Sequence, residues 1–241
     1  MDCTKWKENI DRVVADVCIQ IIKEPLSYFS EADIQQLLVE GLRKIEPLGK
    51  SYPTNVHKGK ESISTYRTSL LHREYGGGDG TRIDIVIFDP DDVGEIDDVN
   101  LKKGKGYLVP VYAFELGTEK TSKADEHFKS DLKKLKKLND CTEKNGTGYL
   151  IHFYKDVTQA PTGAKLRDKT EKKIEKHFKQ VFMAKQTEHI TNVKILAILL
   201  RTYRNQKKMR GKCEIFNGQE WIKTNVSRDG ALRSAILAQL T

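Results

Sequence analysis

Residues 107–116, "YLVPVYAFEL", form an almost unbroken apolar run that stops at a carboxylate. Such a run, without polar alternation, is expected of a strand buried on both faces near the middle of a sheet. The next stretch, "EHFKSDLKKLKKLND" (126–140), changes period. Phe128, Leu132, Leu135 and Leu138 recur at helical spacing, with lysines outside them. "GYLIHFYK" (148–155) then returns to a strand pattern. Strand, helix and strand in that order predict a crossover with the two strands parallel, and so an α/β fold.

Working upstream, "RIDIVIFD" (82–89) puts Asp84, Val86 and Phe88 on one face and Ile83, Ile85 and Ile87 on the other. Both faces are apolar, which predicts an inner strand. "ISTYRTSLLHREY" (63–75) is a further strand, and the glycine-rich 76–80 reads as a hairpin connection. A phosphate loop is excluded there, because no Gly-Lys-Ser/Thr follows and the next element is a strand. Residues 90–106 read as a solvated acidic-then-basic loop without periodicity.

Two helices precede these strands. Ile10, Val13, Val14, Val17, Cys18, Ile21 and Ile22 stripe a helix over 5–24, closed by Pro25. The second begins with Ser30 and Asp33 as a capping-box-like pair and lines up Ile34, Leu37, Leu38, Leu42 and Ile45. At about 100° per residue, Glu31 falls within about 45° of the centre of that apolar face, unusual for a carboxylate. Beyond 155 come a basic amphipathic helix on Ile174, Phe178, Val181 and Phe182, then a strand in "NVKILAILLRTY" (192–203). A hairpin in "CEIFNGQEWI" (213–222) and a closing helix over 228–240 complete the chain. Without repeats or a low-complexity linker, 1–241 is expected to be one domain. Its core lies at about 30–155, with the N-terminal helix and a mixed helical and strand extension (156–241) packed on it.

The chain of 241 residues is 38% hydrophobic and 32% charged, with a net charge of +8. This composition fits a globular protein with an anionic partner, nucleic acid before membrane. Cys3, Cys18, Cys141 and Cys213 are widely spaced. In the absence of a secretory leader they are expected to be reduced thiols in a cytoplasmic protein. The apolar "VKILAILL" is far shorter than the roughly 20 residues of a membrane span. His72, His127, His152 and His177 show no metal-ligand spacing and read as structural or surface residues.

A carboxylate in mid-strand, such as Asp84, costs stability unless it is paired or bound to a metal. A salt bridge with Arg82 or Arg73 would meet that need; so would a cation. Glu115, expected to end the neighbouring strand, could bring a second carboxylate to the same ion. Mg²⁺ takes about six oxygens at about 2.0–2.1 Å and retains waters, so two carboxylates and a main-chain carbonyl suffice.

The inward Glu31, the strand ending "HREY", "RIDIVIF", "YLVPVYAFEL", the basic helix and "GYLIHFY" together resemble the PD-(D/E)XK nuclease superfamily, over about residues 30–155. The resemblance implies a restriction-endonuclease-like mixed sheet flanked by helices, and Mg²⁺-dependent cleavage of DNA, with Mn²⁺ able to substitute. It assigns Asp84 and Glu115 to the metal, with the carbonyl of Leu116. It adds Glu31 from the first helix and Glu74 from the end of the first strand. Double-stranded DNA is the implied substrate, and two copies acting together suit a double-strand cut.

The chain departs from that pattern at Gly117, where the family carries a lysine. Losing such a group commonly costs about 10²–10⁴-fold in rate. Lys120 is the nearest replacement, although its odd offset from Glu115 points it to the other face unless the chain turns at Gly117–Thr118. Lys134 and Lys136, about 100° from the apolar centre of the following helix, could also reach. Two further readings stand beside the nuclease: a nuclease-like nucleic-acid-binding or assembly module without catalysis, and an unrelated α/β protein whose acids are structural.

Overall fold

The structure, a computed structural model, describes residues 4–25, 27–28, 30–76, 82–97, 108–120, 124–140, 146–158, 192–203, 212–216, 221–224 and 229–240, with a few positions between 172 and 183. The described residues form a mixed α/β protein with five α-helices and two mixed sheets. No described helix is long and apolar enough to cross a membrane. The basic helix expected over 163–182 and the Asn-Gly turn at 217–218 lie almost wholly outside the described residues.

Helix α1 (Thr4–Lys23) buries the stripe Ile10, Val14, Val17, Cys18, Ile21 and Ile22. Helix α2 (Glu31–Leu42) starts with a complete capping box: Asp33 N–H donates to Ser30 Oγ, and Ser30 N–H donates to Asp33 Oδ2. The two helices cross tightly, since a Cβ on Gly41 would stand 2.7 Å from Val13 Cγ1.

Strands β3 (Leu71–Gly76), β4 (Arg82–Ile87), β6 (Tyr112–Lys120), β7 (Thr147–Thr158), β8 (Val193–Tyr203), β9 (Lys212–Phe216) and β10 (Trp221–Thr224) build the large sheet. Their order is β10-β9-β8-β7-β6-β4-β3. β6, β7 and β8 are parallel neighbours, and every other pairing is antiparallel. Helix α4 (Ala124–Asp140) makes the crossover from β6 to β7 and buries Phe128, Leu132 and Leu135. It covers the face that carries Gly148, whose Cβ would meet Leu135 at 3.4 Å. On the opposite face Tyr149 O–H donates to Asp11 of α1, so helices cover the parallel strands on both sides. Helix α5 (Asp229–Leu240) buries Leu232, Ile236 and Leu240 and packs on α1 and β8. Strands β8 to β10, in the stretch read as an extension, thus continue the central sheet.

Two expectations need correction, and one strand was not foreseen. The single strand over 63–75 is two strands in different sheets: β2 (Glu61–Ser69) and β3. The chain changes sheet at Leu70, which is fully buried and whose carbonyl accepts from Phe88 N–H. β1 (Ser51–Lys58), which weak alternation and Pro53 hid, pairs with β2 antiparallel and with a short β5 (Glu95–Asp97) parallel. Pro53 is tolerated because β5 reaches only Asn55 to His57, so just one partner flanks the strand there. Residues 90–97 are ordered rather than loop. A short helix, α3 (Pro90–Val93), is capped by Asp89 and leads into β5, with Val93 and Ile96 buried.

Candidate functional site

β4 and β6 pair in the register Ile85↔Phe114, Val86↔Ala113 and Ile87↔Tyr112. One step further in that register sets Asp84 opposite Glu115, and residues directly opposite share a face. There a side-chain bond succeeds the backbone ladder: Leu116 N–H donates to Asp84 Oδ2 at 2.7 Å. Asp84 is 8% exposed and Glu115 1%. Among the described residues neither Arg73 nor Arg82 pairs with Asp84, and Arg73 donates instead to Gln35 and Gln36.

Glu115 does not end its strand. The apolar run enters the sheet at Tyr112 rather than residue 107, and β6 stays paired with β7 from Tyr112↔Thr147 through Lys120↔Lys155. The chain therefore makes no turn at Gly117–Thr118, and position 120 belongs to the opposite face from Glu115. The side chain of Lys120 lies outside the described residues.

The lysine beside Glu115 comes from α4. Lys134 Nζ donates to Glu115 Oε2 at 3.0 Å and lies 2.8 Å from Asp131 Oδ1. Asp131 is fully buried, and its Oδ2 faces His152 Nε2 at 3.2 Å and His127 Nε2 at 3.5 Å. His152 sits on β7 in register with Gly117, and its ring fills the space next to that glycine. A Cβ at position 117 would stand 2.4 Å from His152 Cε1 and Nδ1.

Two further acids border this pocket. Glu31, in the first turn of α2, senses the charges of Asp84, His127, Asp131 and Lys134. Glu74 occupies the step opposite Asp84 on β3, which the ladder skips between Arg73↔Ile85 and Tyr75↔Ile83. Its backbone has φ 50°, uncommon for a non-glycine residue, and its Oε1 accepts from Gln35 Nε2 at 2.9 Å. Gln35, one turn beyond Glu31, thus fixes Glu74 from the same helix.

Burial and mutual repulsion raise three of the acids. Burial, then the negative charge of Asp84, pushes Glu31 up to about 7. Burial raises Asp84 to about 6 despite the bond from Leu116 N–H. Burial, then Asp131 and Asp84, carries Glu115 to about 9, and Lys134 only partly offsets this. For Asp131 burial acts upward too, but His152 and Lys134 outweigh it and hold the carboxyl below its usual range. Pairing with Asp131 and Glu115 likewise overcomes burial at Lys134 and keeps it ammonium well into alkaline pH. Burial is the largest cause of all three upward shifts, and the neighbouring acids add to it. Glu115 Oε1 is buried with no hydrogen-bond partner, so the oxygen donors fit a hard divalent ion.

Of the residues expected from the sequence, Asp84 and Glu115 face each other across β4 and β6, Glu31 lies near enough to sense the charge of Asp84, and Glu74 takes the step beside Asp84 on β3. Leu116 contributes its N–H, while its carbonyl is the atom that the family resemblance gives to the ion. Asp131, His127 and His152 were missed. The only sequence signal was the four-residue step from His127 to Asp131, one turn of a helix; nothing local pointed to His152. Comparison with known proteins yields no match to a protein-family model, a curated protein or a solved structure.

Proposed function

We propose that this protein is a Mg²⁺-dependent nuclease that hydrolyses DNA phosphodiesters, with a restriction-endonuclease-like core of the PD-(D/E)XK type and its lysine moved to α4. One observation carries the reading: Lys134 Nζ lies 3.0 Å from Glu115 Oε2, on the face of the sheet that Asp84 shares. The contact favours the enzyme over the inactive binding module, because Gly117 no longer counts as a lost lysine.

Asp84 and Glu115 Oε1 would hold Mg²⁺ with the carbonyl of Leu116, and Glu31 and Glu74 would complete the acidic shell through waters. Bound there, the ion supplies Lewis acidity toward a phosphodiester oxygen and lowers the pKa of an attacking water. Lys134, kept as ammonium by its contacts with Asp131 and Glu115, orients that water and offsets charge gathering on the phosphate. It is not the base, since a lysine that holds its proton at neutral pH cannot accept another. The +8 net charge would supply sequence-independent attraction to double-stranded DNA.

The test is cleavage of supercoiled plasmid in Mg²⁺ or Mn²⁺ by wild type, Asp84→Asn, Glu115→Gln and Lys134→Ala. Metal-dependent cutting by wild type alone supports the assignment. Folded wild type that binds DNA without cutting it would return the reading to the inactive module.

A further inference from the structure

We propose that His127, Asp131 and His152 form a binding site of their own for a borderline divalent cation such as Zn²⁺, beside the oxygen donors Asp84 and Glu115 and joined to them through Lys134. This inference does not depend on the nuclease reading. Among the described residues these three are the group whose ligand atoms all lie within 4.8 Å of one another. Both imidazole Nε2 atoms converge on one carboxylate oxygen, Asp131 Oδ2, at 3.5 and 3.2 Å. Zinc bonds of about 2.0–2.1 Å in a tetrahedron set neighbouring ligand atoms about 3.3–3.4 Å apart, so both separations match the edges of such a site.

A second observation points to a ligand. His152 is completely buried, yet neither ring nitrogen makes a hydrogen bond, and neither do the two oxygens of Asp131. Their approaches to each other and to Lys134 are ion-pair contacts rather than hydrogen bonds. Buried polar atoms left in that state are rare in folded proteins. A cation among them would engage one nitrogen of His152 and Oδ2 of Asp131 at once.

The scaffold suits that task. His127 and Asp131 are one turn apart on α4, and His152 faces them from the rigid centre of β7. Asp131 Oδ1 stays turned to Lys134 at 2.8 Å, the kind of outer contact that fixes a metal-binding carboxylate. The side chain of His127 is 43% exposed, which leaves a route from solvent and a fourth position for water. Two imidazoles and one carboxylate select Zn²⁺, Co²⁺ or their neighbours over Mg²⁺, which prefers oxygen donors.

The experiment is a titration of metal-free, full-length protein with Co²⁺, read by its visible absorption and by competition with Zn²⁺. Wild type is expected to show a saturable band displaced by Zn²⁺ but not by excess Mg²⁺. His127→Ala removes a half-exposed side chain and leaves the core intact. It should weaken Co²⁺ binding by at least about 100-fold, since loss of an outer-shell partner alone costs 10–100-fold. Asp131→Asn, close to isosteric, should weaken it as well, with circular dichroism verifying the fold. Asp84→Asn should keep the band while abolishing Mg²⁺-dependent cutting, which separates failure of this proposal from failure of the nuclease reading. Absence of a saturable band in folded wild type would overturn the proposal. So would a band that survives His127→Ala or disappears in Asp84→Asn.

Discussion

The ring of His152 occupies the space that a side chain at position 117 would need, with Cε1 and Nδ1 2.4 Å from where a Cβ would stand. The two residues are direct partners in the parallel β6–β7 ladder, so neither can move aside without disturbing the centre of the sheet. Gly117 is therefore a packing requirement imposed by His152. Gly117→Ala should destabilise the protein by about 1–3 kcal/mol, the usual cost of overfilling a packed interior. Gly117→Lys should lose more and gain no cleavage. Urea unfolding measures the first effect. A His152→Ala partner variant that restores much of the loss would identify the ring as the cause.

Lysine variants separate the two candidate positions. Lys134→Ala should lower the metal-dependent cleavage rate by about 10²–10⁴-fold, while Lys120→Ala leaves it within about twofold. The reverse ranking would move the functional lysine to the other face of β6. Single-turnover rates at saturating Mg²⁺ are the appropriate readout, because they exclude effects on DNA binding.

Stability of the metal-free protein should fall as pH rises. Glu31, Asp84 and Glu115 have folded values of about 7, 6 and 9 against ordinary values of 4.5, 3.8 and 4.5, so the folded state binds more protons than the unfolded one between them. Stability then decreases with pH across that interval, from about pH 4 to about pH 9. Asp131 acts oppositely, but only in acid below its ordinary 3.8. Melting temperatures in chelator should decline across the window, and Mg²⁺ should flatten the decline by favouring the ionised carboxylates. A flat profile in chelator would contradict the shared pocket.

On the other side of the sheet Asp11 ties α1 to two strands. Lys194 Nζ donates to both of its oxygens, at 2.9 and 2.8 Å, and Tyr149 O–H donates to Oδ1 at 2.8 Å. Asp11→Ala leaves a largely buried ammonium without its counter-ion and should cost about 3–5 kcal/mol. Lys194→Met with Asp11→Leu, which removes both charges together, should cost much less. Chemical denaturation of the three proteins reads the difference.

Periodicity within a segment was legible. The stripes of α1, α2 and α4 and the apolar runs of β4, β6, β7 and β8 each carry their pattern within a single short segment, because burial of one helix face or two strand faces leaves a local trace. Capping at Ser30 and Asp33 was legible for the same reason. β1 was not, since an exposed strand containing Pro53 has too little apolar alternation to register. The break at Leu70 was hidden because both flanking strands carry similar residues and only the change of sheet separates them.

By itself the sequence determined an α/β chain with a parallel strand–helix–strand unit and singled out Asp84, Glu115 and Glu31 as acids in apolar settings. Only the tertiary structure decided which lysine meets Glu115. Continuation of β6 through Gly117 removed the turn that Lys120 needed, and docking of α4 delivered Lys134 instead. The convergence of His127, Asp131 and His152 was likewise a matter of how α4 lies on β7. Contacts between residues far apart in the chain depend on the relative placement of whole elements, and no local pattern encodes that placement.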